Sequence, residues 1–218
     1  MRGLKAFTLT ELMVALAVIG ILVAVVTPAI MKNRPNKNKM MVKKTFYTVE
    51  NIVSSLINDE RLYPDMRDGC YETPVNATCA WGFDYTEKVN YEGEDFDGQT
   101  KFPLLFATRL NVKKADNTNL IYYTNDGVKW DLSGTKNAWT AGKSKVGKFE
   151  DASPEAGKGV IKIDVNGDEA PNAVCSDDNE DCDQYNVEIL ANGKLRVDPD
   201  HNRAVEYITI NTSMKDNL

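Results

Sequence analysis

Histidine is almost missing from the 218 residues: His201 stands alone. Metal centres and catalytic clusters that draw on several imidazoles are therefore excluded, and His201 lies in the polar stretch DPDHNR, which reads as an exposed loop. No serine occupies a G-x-S-x-G elbow, and neither a P-loop nor a dinucleotide-binding fingerprint is present. Carboxylate pairs are unavoidable among 32 acidic residues, so they diagnose nothing, and an enzyme is not indicated. Positive charge is not in excess either. A net charge of −6 has the wrong sign for a protein that grips duplex nucleic acid, so no nucleic-acid partner is expected. A second long apolar run is also lacking, which rules out a polytopic membrane protein.

What is present is unevenly spread. Residues 1–44 carry +7, which leaves −13 for the remainder. Between Glu11 and Lys32 lie twenty residues without a charge, LMVALAVIGILVAVVTPAIM. As a helix rising about 1.5 Å per residue, this run would span roughly 30 Å, the thickness of a bilayer's hydrocarbon. Three readings compete: a cleaved secretory signal, a permanent anchor, and something more specialised. The basic start MRGLK suits a signal peptide, but the run is too long and the acidic Glu11 sits badly at its mouth.

Residues 5–28, KAFTLTELMVALAVIGILVAVVTP, resemble the N-terminal signature of type IV pilins and of the pseudopilins of type II secretion. Phe7, Thr8, Leu9, Glu11, Leu12, Met13, Gly20, Ile21, Leu22 and Pro28 fall where that pattern wants them. Ala6 replaces the usual glycine before the cut, and Thr10 replaces a more common apolar residue. The resemblance implies a leader of residues 1–6, cleavage between Ala6 and Phe7, and methylation of the Phe7 amine. It further implies a transmembrane or filament-core helix over 7–31, with the N-terminus cytoplasmic and the head beyond the bacterial inner membrane. The implied partners are a prepilin peptidase, an inner-membrane assembly platform, membrane lipid, and copies of this chain and other pilin-like subunits. Six basic residues between Lys32 and Lys44 would by the positive-inside rule face the cytoplasm; the signature takes precedence. Physically, a carboxylate at the edge of hydrocarbon costs several kcal/mol unless paired. Glu11 of one copy can neutralise the new Phe7 amine of a neighbour, which makes it the candidate assembly residue.

Residues 32–60 read as a basic neck, broken at Pro35, and an amphipathic helix. Val42, Phe46, Val49, Val53 and Leu56 recur on one stripe, flanked by Ile52 and Ile57, with the end near Asn58. The head, 61–218, opens with a long irregular connection over 64–118. LIYYT (120–124) and VKWDL (128–132) flank Asn125-Asp126-Gly127, which predicts a hairpin. GVIKIDV (159–165) is a strand; NVEIL (186–190) and KLRVD (194–198) form a second hairpin around Ala191-Asn192-Gly193; VEYITI (205–210) closes the sheet as a last strand. Helix followed by antiparallel strands is an α+β arrangement, and it agrees with the pilin-type head the N-terminus implies.

Four cysteines lie beyond the apolar run, in two close pairs: Cys70 with Cys79 and Cys175 with Cys182. Disulfides are the simplest reading. Local pairing is favoured because short loops close easily, although four cysteines allow three connectivities. Zinc is disfavoured for want of tight ligand pairs and histidines. Between Asp164 and Asp183 fall eight carboxylates and no Lys or Arg. Asp164, Asn166 and Asp168 alternate oxygen ligands at a strand end, which suits a structural Ca²⁺, and some pseudopilin heads carry calcium in a C-terminal loop. The spacing is not that of an EF-hand, and the other reading is a solvated loop pinned by its disulfide. From a different class comes a membrane-anchored or secreted binding protein whose aromatics, Trp81, Phe83, Tyr85 and Tyr91, form a ligand surface.

Overall fold

The computed structural model describes residues 9–32, 37–64, 82–84, 87–139, 149, 157–179 and 181–209, with side chains in the first helix described as far as Ala24. The chain divides into two compact units, Met1–Asn36 and Lys37–Leu218. The described residues of the first form a single helix, α1 (Leu9–Lys32), which runs unbroken past Gly20 and Pro28.

The second unit is α+β. It comprises α2 (Lys37–Ile57), a two-stranded ribbon of β1 (Val89–Tyr91) and β2 (Glu94–Phe96), then α3 (Lys101–Thr108). Next come β3 (Val112–Asp116), β4 (Ile121–Thr124), β5 (Lys129–Asp131), β6 (Lys158–Asp164), β7 (Gln184–Leu190) and β8 (Leu195–Val197). The last element is α4 (Asn202–Thr209). Strands β3 to β8 form one sheet in sequence order, every neighbouring pair antiparallel. Such a meander needs only hairpin connections. Gly127 and Gly193 supply the positive φ, 90° and 79°, that the two tight turns demand.

Alternation along the strands sets the layers. Tyr122, Trp130, Ile161, Ile163, Tyr185, Val187 and Ile189 turn to one face and are buried, while Tyr123, Lys129, Lys162 and Arg196 occupy the other. The apolar face is covered by α2, flanked by α3 and α4. A fully buried side chain of this kind contributes about 1.5–3 kcal/mol, so this layer holds the unit together. The buried Tyr185 hydroxyl, which burial alone would penalise, donates to the Val42 carbonyl at 3.1 Å and lies 2.7 Å from Thr45 Oγ1. Thr45 thus takes a place in the buried stripe of α2 that periodicity gives to Phe46, which is only half-buried. At the helix end the Asn58 amide donates to the Ser54 carbonyl at 2.8 Å, satisfying one of the last orphan acceptors.

Three sequence expectations need correction. Residues 202–209 are helical rather than a closing strand: Ala204 and Tyr207 lie one turn apart and are buried, which a strand could not achieve on one face. The expected irregular stretch contains β1, β2, α3 and β3. Finally, Phe83 is no surface residue. It is 2% exposed and packs edge-on to Tyr63 and Phe102, with Trp139 tilted against it. Tyr91 is half-buried, and Trp81 and Tyr85 lie outside the described residues.

Candidate functional site

The N-terminal unit carries the first candidate site. Along α1 the described side chains are exposed on every side: Leu12, Met13, Val14, Leu16, Val18, Ile19, Ile21, Leu22 and Val23 all show half or more of their surface. Soluble surface helices keep their apolar residues to one stripe; a helix apolar all round belongs inside something else. Among the described residues no helix is long and apolar enough to cross a membrane. Glu11 lies in the first turn of α1, the end where a carboxylate is favoured by the backbone dipole. Ala6 and Phe7 lie outside the described residues.

Residues 1–27 match the prokaryotic N-terminal methylation motif. This motif is the signature of type IV pilins and pseudopilins, and it covers Ala6, Phe7 and Glu11 together with most of the uncharged run. It supports a pilin-like reading of the N-terminus, and with it self-assembly and processing by a prepilin peptidase. No curated protein and no solved structure matches the chain.

The acidic loop of the second unit begins at the end of β6. Asp168, Glu169, Asp177, Asp178 and Asp181 are exposed, whereas Asp164 and Asp183 are buried. Asp183 is fully enclosed and acts as a clasp, accepting from the Asn172 N–H at 2.9 Å, the Ala173 N–H at 2.7 Å and Asn166 Nδ2 at 2.9 Å. Asp164 accepts from Gln184 Nε2 at 2.9 Å. Burial pushes the Asp164 carboxyl above its ordinary range, and the nearby Asp183 charge adds to the push.

The three expected calcium ligands are thus differently placed. Asn166 Oδ1 is a buried oxygen with no donor, beside Asp164, whose Oδ1 accepts from the Asn166 N–H at 3.3 Å. Both oxygens of Asp168 are occupied: Lys129 Nζ lies 2.6 Å from one and the Tyr123 hydroxyl donates to the other at 2.9 Å. The loop itself has no basic residue, but β5 brings one to it. Among the described residues no three carboxylate, thiol or imidazole groups gather as a metal site.

Cys175 and Cys182 are joined, with both side chains fully buried; Cys70 and Cys79 lie outside the described residues. His201 is not exposed as its polar neighbourhood suggests. It is 8% exposed, and its carbonyl accepts the Ala204 N–H at 2.9 Å as α4 begins. Burial lowers its pKa below the usual imidazole range. Two further buried charges had no sequence signal: Lys101, and Glu188, which is held on β7 between Lys158 and Arg196.

Proposed function

We propose that this chain is a pilin-like structural subunit, made as an inner-membrane prepilin and built into a type II secretion pseudopilus or a type IV pilus-like filament. One observation carries the reading: the methylation motif is continuous with a helix whose described side chains from Leu12 onward are apolar and exposed all round. Lipid would cover that surface before assembly, and equivalent helices would cover it afterwards. The twenty-residue uncharged run would span the bilayer once, with the head on the far side. Mass spectrometry of the mature N-terminus tests the reading. A chain starting at N-methylated Phe7 supports it; a start at Met1 or near residues 25–30 overturns it.

A structural Ca²⁺ on Asp164 and Asn166 belongs to the same reading, supported by the unpartnered Asn166 Oδ1 beside a buried carboxylate. The ion would tie the start of the acidic loop to the end of β6 and offset like-charge repulsion there. Melting the protein in EGTA and in millimolar Ca²⁺ tests it, with Mg²⁺ as the control. An unchanged melting temperature would leave the loop to its hydrogen bonds and disulfide.

A further inference from the structure

Helix α2 buries one face through Val42, Thr45, Val49, Ile52, Val53 and Leu56. Its opposite face changes character along the helix. In the N-terminal half that face carries Met40 and Tyr47, 59% and 43% exposed, the two large apolar side chains that α2 leaves in the open. They stand seven residues apart, hence on one side of the helix, with Lys43 and Lys44 between them and Lys37 a turn earlier. In the C-terminal half the same side carries Glu50, Asn51 and Ser54, all polar and exposed. The positive charges of the first half are only partly met. Lys44 pairs with Asp126 at 2.7 Å, and Lys39 rests over the Tyr207 ring at 5.2 Å. Among the described residues Lys37 and Lys43 have no ion-pair or hydrogen-bond partner. No acidic residue precedes Glu50 on α2, although a helix N-terminus is the end at which the backbone dipole favours an anion.

Free cations flanking exposed apolar side chains fit a layer that offers phosphates above and hydrocarbon beneath. A dissolved anion would satisfy the lysines and leave Met40 and Tyr47 in water; a purely apolar partner would do the reverse. Position along the chain selects lipid. This half of α2 follows the uncharged run directly, beginning five residues after α1 ends, and Lys32 and Arg34 lead into it. We propose that the 37–47 face of α2 seats in the headgroup layer of an anionic bilayer, with Lys37 and Lys43 on lipid phosphates and Met40 and Tyr47 at the acyl boundary. The contact rests on the membrane-anchored reading of the chain. It gives the basic residues beyond the apolar run a role that the positive-inside rule does not.

The test uses the full chain reconstituted in phosphatidylcholine bilayers with spin-labelled phosphatidylglycerol or spin-labelled phosphatidylcholine. Electron paramagnetic resonance should show the anionic lipid enriched about threefold or more at the protein. Lys37→Gln/Lys43→Gln, which breaks no ion pair or hydrogen bond of the folded unit, should remove roughly half of that preference or more. Photoreactive benzoylphenylalanine in place of Tyr47 should cross-link to phospholipid on irradiation; in place of Ser54, farther along the same side, it should not. Lipid cross-links as strong from position 54 as from 47 overturn the proposal, and so do cross-links from 47 to a second copy of the chain instead of lipid. A chain that floats with the bilayers and resists carbonate extraction, yet shows no phosphatidylglycerol preference or keeps it in the lysine variant, overturns the headgroup contact alone. A chain that does not float with the bilayers removes the membrane-anchored reading itself, and this contact with it.

Discussion

Lys101 carries an ammonium group into an aromatic core. It is 1% exposed, its Nζ donates to the Leu62 carbonyl, and the Tyr63 ring centroid lies 4.5 Å away. Burial lowers its pKa to about 8, with Glu87 pulling weakly the other way. The folded form therefore binds that proton less tightly than the unfolded chain does. The penalty is complete below about pH 8 and is relieved as pH rises towards the ordinary lysine value. Wild-type protein should gain about 2 kcal/mol between pH 7 and 9.5. Tyr63 and Tyr185, whose pKa values burial raises well above the usual range, act in the opposite sense only near pH 10 and beyond. Thermal melts across that window should show the gain in the wild type and a flat response in Lys101→Met; equal slopes would remove Lys101 as the cause. His201 works in the acid range. Its lowered pKa means that stability is lost as pH falls below about 6.5, so His201→Gln should melt less steeply with pH between 6.5 and 5. Neither residue was legible beforehand. Their burial comes from elements distant in the chain, and flanks such as GQTK and DPDH look solvated.

At the scale of elements, the loop between β6 and β7 is held at two points. The Cys175–Cys182 bond closes a short loop and should contribute about 2–3 kcal/mol by the chain-entropy account. Asp183 holds the other end through three donors. Asp183→Ala would leave the Asn172 and Ala173 N–H groups without their acceptor, costing about 2–4 kcal/mol. Urea denaturation should show both losses, and the Cys175→Ser/Cys182→Ser/Asp183→Ala combination should cost less than their sum, because one loop cannot be released twice. Full additivity would mean that the two anchors hold independent structures. The hairpins of this unit were readable because Asn-Asp-Gly and Ala-Asn-Gly are local chemical instructions. Helix α4 was not. Its Val, Tyr, Ile and Thr favour strands by propensity, but the chain leaves β8 through Asp198 and His201 into a helical turn, and Ala204 and Tyr207 then pack beside α2. Tertiary burial outweighed a preference worth about 1 kcal/mol. Strand β3 escaped notice for a simpler reason: it lies at the sheet edge with three of its five residues exposed, so no alternation marks it.

The molecule as a whole joins a helix with no core of its own to an acidic unit with a complete one. The N-terminal motif and the uncharged run were plain in the sequence because both are read from contiguous residues. The consequence for assembly rests on Glu11. Burying an ionised carboxylate among apolar helices costs several kcal/mol unless a cation meets it, and under the proposed processing the Phe7 amine of a neighbour would supply one. Glu11→Ala should leave membrane insertion and the folding of residues 37–218 unchanged while reducing filament yield at least tenfold. Glu11→Gln should fall between, because it keeps a hydrogen-bond acceptor but loses the charge. Filaments counted by electron microscopy, with the membrane-inserted pool measured in the same cells, separate an assembly defect from a failure of insertion. Wild-type filament numbers in Glu11→Ala would reduce the carboxylate to a residue resting at the lipid boundary.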